Sequence, residues 1–134
     1  MLNDDLSLRS LLQHSRTIAI VGLSANDSRP SHGVARYLID HGYTVIPVNP
    51  AYPEVLGLTS YASLQDIPVP VDIVDVFRKS EDVLPVAEDA IAIGVRALWL
   101  QLGVINAEAT LRAQQAGLSV VQDRCIKVEH ARLL

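Results

Sequence analysis

Residues 17–34 read TIAIVGLSANDSRPSHGV. The run up to Gly22 is apolar and β-branched with no polar alternation, the pattern of a parallel strand buried on both faces. Gly33 opens a helical pattern, GVARYLIDH, that puts Val34 and Leu38 on one face and stops at Gly42. Between the two glycines lie Ser24, Asn26, Asp27, Ser28, Arg29, Pro30, Ser31 and His32, where a dinucleotide-binding fold carries its phosphate loop. The spacing is not GxGxxG. A strand, a loop and a helix N-terminus in series still favour an anion, because first-turn amides and the helix dipole point at it. Gly22 lets the backbone turn close to a ligand, and Ser24, Ser28 and Ser31 offer hydroxyls. Arg29 can pair with phosphate oxygens. The competing reading is a solvated loop in which Ser31 only caps the helix.

The same alternation continues along the chain. Further strands read at 44–48, 71–77, 97–102 and 118–122. A helix follows Ser80 to about residue 93, with Pro85 forcing an irregular first turn or a later start. Another spans 107–116, capped by Asn106 and ended by Gly117. A helical segment at 6–14 lies within an N-terminal piece, residues 1–16, and a single turn sits near 63–67. The pattern assigns no form to residues 125–134. Strand–helix alternation predicts an α/β, Rossmann-like three-layer fold with a five-stranded parallel sheet. Right-handed crossovers with a reversal after the third strand give the order 3-2-1-4-5, in one domain over residues 1–134.

Composition narrows the class. The 134 residues are 49% hydrophobic, enough for one buried core. The formal net charge is −4, from 11 basic and 15 acidic residues with no basic run, which disfavours nucleic acid as a partner. No apolar run approaches the roughly 18 residues that span a bilayer, and the opening MLNDDLSLRSLL lacks a basic leader region. A cytoplasmic location without membrane attachment is expected. The single Cys excludes an internal disulfide and, with no CxxC, no metal site is expected.

Ligands of parallel α/β sheets sit at the carboxyl ends of the strands, beside the switch point. Those ends read Gly22-Leu23-Ser24, Val48-Asn49-Pro50, Phe77-Arg78, Gln101-Leu102-Gly103 and Asp123-Arg124-Cys125, mostly small, polar or basic. The amino ends are bland. An NAD enzyme usually places an acid after strand 2; here that position reads VNP, which lowers that reading.

The segments GLSANDSRPSHGVARYL, VIPVNP, VDIVDVFRKSE, ALWLQLGV and VVQDRCIKVEH together resemble the small single-domain CoA-binding proteins, related to the CoA-binding domain of the succinyl-CoA synthetase α subunit. The resemblance implies a Rossmann-like domain holding coenzyme A, free or acylated, at the carboxyl edge. It implies a diphosphate against Gly22, Ser24, Arg29, Ser31 and His32, with Asn49 and Pro50 beside the adenosine. It further implies Phe77, Arg78 and Ser80 along the middle of the cofactor, and Gln101 and Gly103 along the pantetheine. CoA carries a 3′-phosphate besides its diphosphate, and Arg29, Arg78, Lys79 and Arg124 all fall at carboxyl-edge loops. The synthetase keeps its phosphorylated His in a further domain, and no residue of this chain matches it.

Other residues read as architecture. Trp99 suits the core, and Cys125 reads as a buried apolar Cys more than a reactive thiol. His14 and His41 suit helix ends, and Glu129 and His130 read as tail surface. Asp75, inside an apolar strand, is expected to pair with an Arg or a backbone amide. No catalytic residue is assigned. The leading expectation is a CoA-binding protein without evident chemistry of its own. The alternatives are an NAD(P)-dependent oxidoreductase and a subunit or module of an acyl-CoA ligase; a homodimer or an unidentified protein partner is left open.

Overall fold

A computed structural model describes residues 1–134. The chain runs α1 (Asp5–Gln13), β1 (Thr17–Val21), α2 (Pro30–Asp40), β2 (Thr44–Val48), a small hairpin β3 (Glu54–Val55) and β4 (Leu58–Thr59), then β5 (Ile73–Val76). It continues with α3 (Val83–Ala92), β6 (Ala97–Leu100), α4 (Ala107–Gln115), β7 (Ser119–Val121) and α5 (Ile126–Leu133). The main sheet is parallel, in the order β2-β1-β5-β6-β7. Strand alternation splits its apolar side chains between two cores. Ala19, Val21, Val74, Val76, Leu98 and Leu100 meet Val83, Ala87, Ala90, Ala109 and Ala113 of α3 and α4. Ile18, Ile20, Ile73, Ala97 and Trp99 meet Leu8, Leu12, Val34, Leu38, Ile126 and Leu133 of α1, α2 and α5.

The five parallel strands and three layers are those expected, but the third expected strand does not lie outside the second. Residues 73–76 pair directly with β1 (Ile18↔Ile73 to Val21↔Val76), and the reversal falls one strand earlier. The reason lies in two features. Every residue of β5 is buried, which demands a central slot. Outside β2 only a bridge forms, Val48↔Tyr61, with the Tyr61 amide donating to the Pro47 carbonyl at 3.0 Å. Pro47 has no amide to continue that ladder, so no full strand grows there. With the Tyr61 bridge counted as the outer strand, the series reads 3-2-1-4-5-6, the Rossmann sequence.

Local boundaries moved for identifiable reasons. Helix α2 starts at Pro30, in the favoured first position, so Gly33 lies inside the helix instead of at its start. Asp4 caps α1 and Asn106 caps α4, each accepting a backbone amide at 2.9 Å. Ser80 begins a 3-10 turn (Ser80–Asp82), and α3 starts after it with Pro85 in its first turn. The tail left unassigned is helix α5, packed on α1 and α2.

Candidate functional site

Helix α2 covers one face of the sheet and α3 the other, so the chain changes sides between β1 and β5. Just beyond their carboxyl ends lies an open cleft of about 340 Å³ lined by Gly22, Ser24, Arg29, Pro30, Ser31, Asn49, Tyr52 and Phe77. A larger groove, about 460 Å³, runs along α1 at the amino edge, past His14, Arg96 and Ser119. It combines leucines with serines and a single arginine, and the α1 N-terminus beside it is already capped by Asp4. The β1–β5 cleft therefore has the chemistry of a binding site, although it is not the roomiest.

Gly22 forms its floor. Its φ is +87°, and a side chain there would drive into the Phe77 backbone carbonyl. Only glycine lets β1 leave the sheet so close to β5. The following loop is internally ordered. Ser24 Oγ accepts from the Asn26 amide at 3.0 Å, and Asn26 Oδ1 accepts from the Ser28 amide at 3.0 Å and the Ser28 hydroxyl at 2.8 Å. Ser31 Oγ reaches back to accept from the Ser24 amide at 3.0 Å, stapling the loop to the first turn of α2. Ser24 and Ser31 each still hold a hydroxyl proton to donate, whereas Ser28 has spent its own.

Arg29 is the N-cap residue of α2 and makes no side-chain capping bond. It is exposed and has no carboxylate within salt-bridge distance. The helix therefore presents an uncapped N-terminus and an unpaired guanidinium to one cleft, a combination suited to an anion. Asn49 does not reach for a ligand with its carbonyl. Its Nδ2 donates to the Leu23 carbonyl at 3.1 Å and its Oδ1 accepts from the Ala51 amide at 3.0 Å, locking the β1 and β2 loops together. Tyr52 forms the outer wall.

Six expected residues thus meet in the cleft: Gly22, Ser24, Arg29, Ser31, Asn49 and Phe77. The others lie elsewhere. His32 is buried on α2 at 8% exposure, and Pro50 is exposed outside the lining. Arg78 lines a separate small cavity with Val21, Val48, Leu64 and Asp89. Ser80 braces a loop, its Oγ accepting from the Ile105 amide at 3.0 Å. Gln101 is buried and its Oε1 accepts the Ile126 amide at 3.0 Å, serving the start of α5. Gly103 donates its amide to Asp123 Oδ1 at 2.7 Å. These contacts join neighbouring carboxyl-edge loops to one another. Tyr52 and Pro30 were missed; an aromatic residue soon after the VNP segment was the available signal for Tyr52.

The carboxylates also sorted themselves. Asp72 lies ahead of β5 and accepts the Arg16 amide at 2.8 Å and the Thr17 amide at 3.0 Å. Burial pushes its pKa up, but these amides outweigh that and hold it below the usual value. Asp75 is the contrary case: it is fully buried between Ile20 and Trp99, and neither oxygen has a partner. Burial alone raises its pKa well above the ordinary carboxyl value. The expected Arg or amide partner is absent. Trp99 is fully buried and donates Nε1–H to the Arg124 carbonyl at 2.8 Å. Glu129 and His130, expected on the surface, are buried at 8% and 7% exposure on α5.

Fold and cleft together define a Rossmann-like α/β domain whose open site lies at the switch point of the sheet. The CoA-binding domain model matches residues 16–131, and the chain belongs to that family. It is 44% identical over 124 residues to the uncharacterized protein YneT of Bacillus subtilis, covering 92% of each chain. A hypothetical protein from Pyrococcus horikoshii has the same fold, with a TM-score of 0.96 and 41% identity over 98% of this chain and 92% of that one. The chain is also homologous to the CoA-binding region of ADP-forming acetate–CoA ligases. With ligase I of Archaeoglobus fulgidus it shares 23% identity over 125 residues, covering 86% of this chain but 18% of that enzyme. No helix is long and apolar enough to cross a membrane.

Proposed function

We propose that this chain binds coenzyme A, free or acylated, with the diphosphate held at the β1–α2 loop. The observation that carries the reading is the meeting of Gly22, Ser24, Ser31 and unpaired Arg29 with the uncapped N-terminus of α2 in one cleft. A diphosphate there would take hydrogen bonds from the hydroxyls of Ser24 and Ser31 and a charge-assisted pair from Arg29. Family membership supports CoA as the bearer of that diphosphate. Asn49, where an NAD site usually has an acid, leaves no carboxylate for ribose hydroxyls and weighs against a nicotinamide cofactor. The residues shared with the Archaeoglobus ligase, 18% of that enzyme, fall in its CoA-binding region, which supports a CoA-binding role for them here.

Two measurements test this. Denaturing the purified protein and identifying the released small molecule by mass separates CoA from NAD. Titration calorimetry with CoA on the wild type and on Arg29→Ala then tests the loop. The variant should bind about 10- to 100-fold more weakly, the value of hydrogen bonds to a charged group, and keep its melting temperature. No measurable CoA affinity in the stripped wild type would refute the function, and equal affinities would refute the loop assignment.

A further inference from the structure

At the other end of α2 a second cluster of polar groups has no part in the cleft. His41, the C-cap residue of α2, stacks on Tyr37 with ring centroids 3.9 Å apart, and its Nδ1 lies 2.7 Å from the Tyr37 carbonyl. His130 of α5 packs edge-on against Tyr37, His41 and Tyr43 at 5.4, 5.2 and 5.6 Å. Its Nδ1 lies 2.8 Å from the Tyr37 hydroxyl. Tyr43, leading into β2, donates its hydroxyl to the Leu12 carbonyl of α1 at 2.6 Å. The two imidazoles thus sit where α1, α2, α5 and the entry to β2 converge.

We propose that this His41–His130 pair is a proton-sensitive latch that holds α5 against α2 at neutral pH and loosens it on mild acidification. The charged and titratable groups around the pair are mostly basic. Lys127 of α5 lies over the Tyr37 ring at 5.6 Å, and Arg16, before β1, lines a small cleft with His41, Tyr43 and Leu134. Tyr37 and Tyr43 are phenols that stay neutral in this range. Glu129, next to His130 in the chain, has its carboxylate engaged by Arg124 and Arg132, and Arg132 also pairs with Asp5 of α1. No carboxylate lies within salt-bridge distance of either ring.

Two imidazolium ions at 5.2 Å would repel each other, with no carboxylate within salt-bridge distance of either. His41 is the more exposed of the two, at the C-terminus of α2 and stacked on the Tyr37 ring. Buried His130 resists protonation. Burial, and next the charge of His41, hold its pKa below the usual value. A base whose folded pKa is depressed adds stability above its unfolded value of 6.5 and loses it as pH falls below that value. In a charged His130 both ring nitrogens are donors, so the Tyr37 hydroxyl could then only accept from Nδ1. Loosening α5 would release Ile126 and Leu133 from the core and free the Arg124–Cys125 segment at the carboxyl edge.

The latch is independent of what fills the cleft. It is tested by hydrogen exchange and thermal melting of the ligand-free protein at pH 7.5 and 5.5, with exchange corrected for the intrinsic rate. In the wild type, α5 amides should lose protection, and the melting temperature should fall by several degrees, between those pH values. His130→Gln stays neutral at both and should lose most of that difference. His41→Gln, which leaves the buried ring untouched, should shrink it by removing the neighbouring charge, and serves if His130→Gln folds poorly. An NMR titration of the wild type should show His130 titrating below the usual imidazole value. Equal α5 protection at both pH values, or the same pH difference in both variants, would overturn the proposal.

Discussion

Gly22→Ala is the sharpest probe of the site, because two separate costs can be read off the backbone. At φ +87° an L-residue is in the left-handed region, which costs roughly 1–2 kcal/mol. The added methyl would also press on the Phe77 carbonyl, where β1 and β5 part. Reaching ordinary contact requires the strands to separate by about 1 Å, and forcing an extra methyl into packed surroundings costs roughly 1–3 kcal/mol. Together these give about 2–5 kcal/mol. For a chain of this size the unfolding entropy turns each kcal/mol into about 3–4 °C, so the melting temperature should drop by about 6–20 °C. Gly42→Ala isolates the first cost: its φ is +92°, but nothing lies within 4 Å of the new methyl. That variant should lose only about 3–8 °C by the same conversion. Differential scanning calorimetry of both variants decides the matter. Equal shifts would show that β5 does not press on Gly22, and the floor described for the cleft would then be wrong.

The other expectations concern helix α2 and the cores. Gly33 sits inside α2 with an ordinary φ and open space around it, so Gly33→Ala should raise stability by about 0.5–1 kcal/mol in urea unfolding; a loss would argue that the helix begins after it. Asp75→Val should stabilise the protein by about 1–3 kcal/mol near pH 7, because it removes an unpartnered buried carboxyl. The sign with pH follows from the raised pKa. Wild-type stability is fullest below the unfolded value of 3.8 and falls as pH rises toward the folded value, so the variant's advantage should grow over that interval. An advantage that is flat with pH would mean that Asp75 has a partner.

Much of the site was legible because strand ends and helix starts announce themselves locally. The apolar run before Gly22 and the polar loop after it located the cleft, and Gly22, Ser24, Arg29, Ser31, Asn49 and Phe77 do line it. Three of the misplacements share one cause. Ser80, Gln101 and Gly103 stand at the carboxyl edge as expected, but Ser80 Oγ, Gln101 Oε1 and the Gly103 amide are engaged by Ile105, Ile126 and Asp123 from neighbouring loops. Hydrogen bonds between segments about 20 or more residues apart have no periodicity to betray them. The burial of His130 escapes a sequence reading for the same reason, since its partner Tyr37 lies on α2. Arg124 and Arg132, the partners of Glu129, are close to it in sequence but come together only once residues 126–133 form α5.

What one sequence determined was the list of elements and the edge that carries the chemistry. Side-chain period, glycine stops and helix caps act within a few residues, so they can be read without knowing the fold. The neighbour relations belonged to the tertiary structure. β5 lies beside β1 because a run buried on both faces needs a central slot, and because Pro47 cannot donate the amide that a full strand outside β2 would require. That placement sets Gly22 against Phe77, brings Asp75 into the core without a partner, and leaves Arg29 unpaired at the mouth of the cleft.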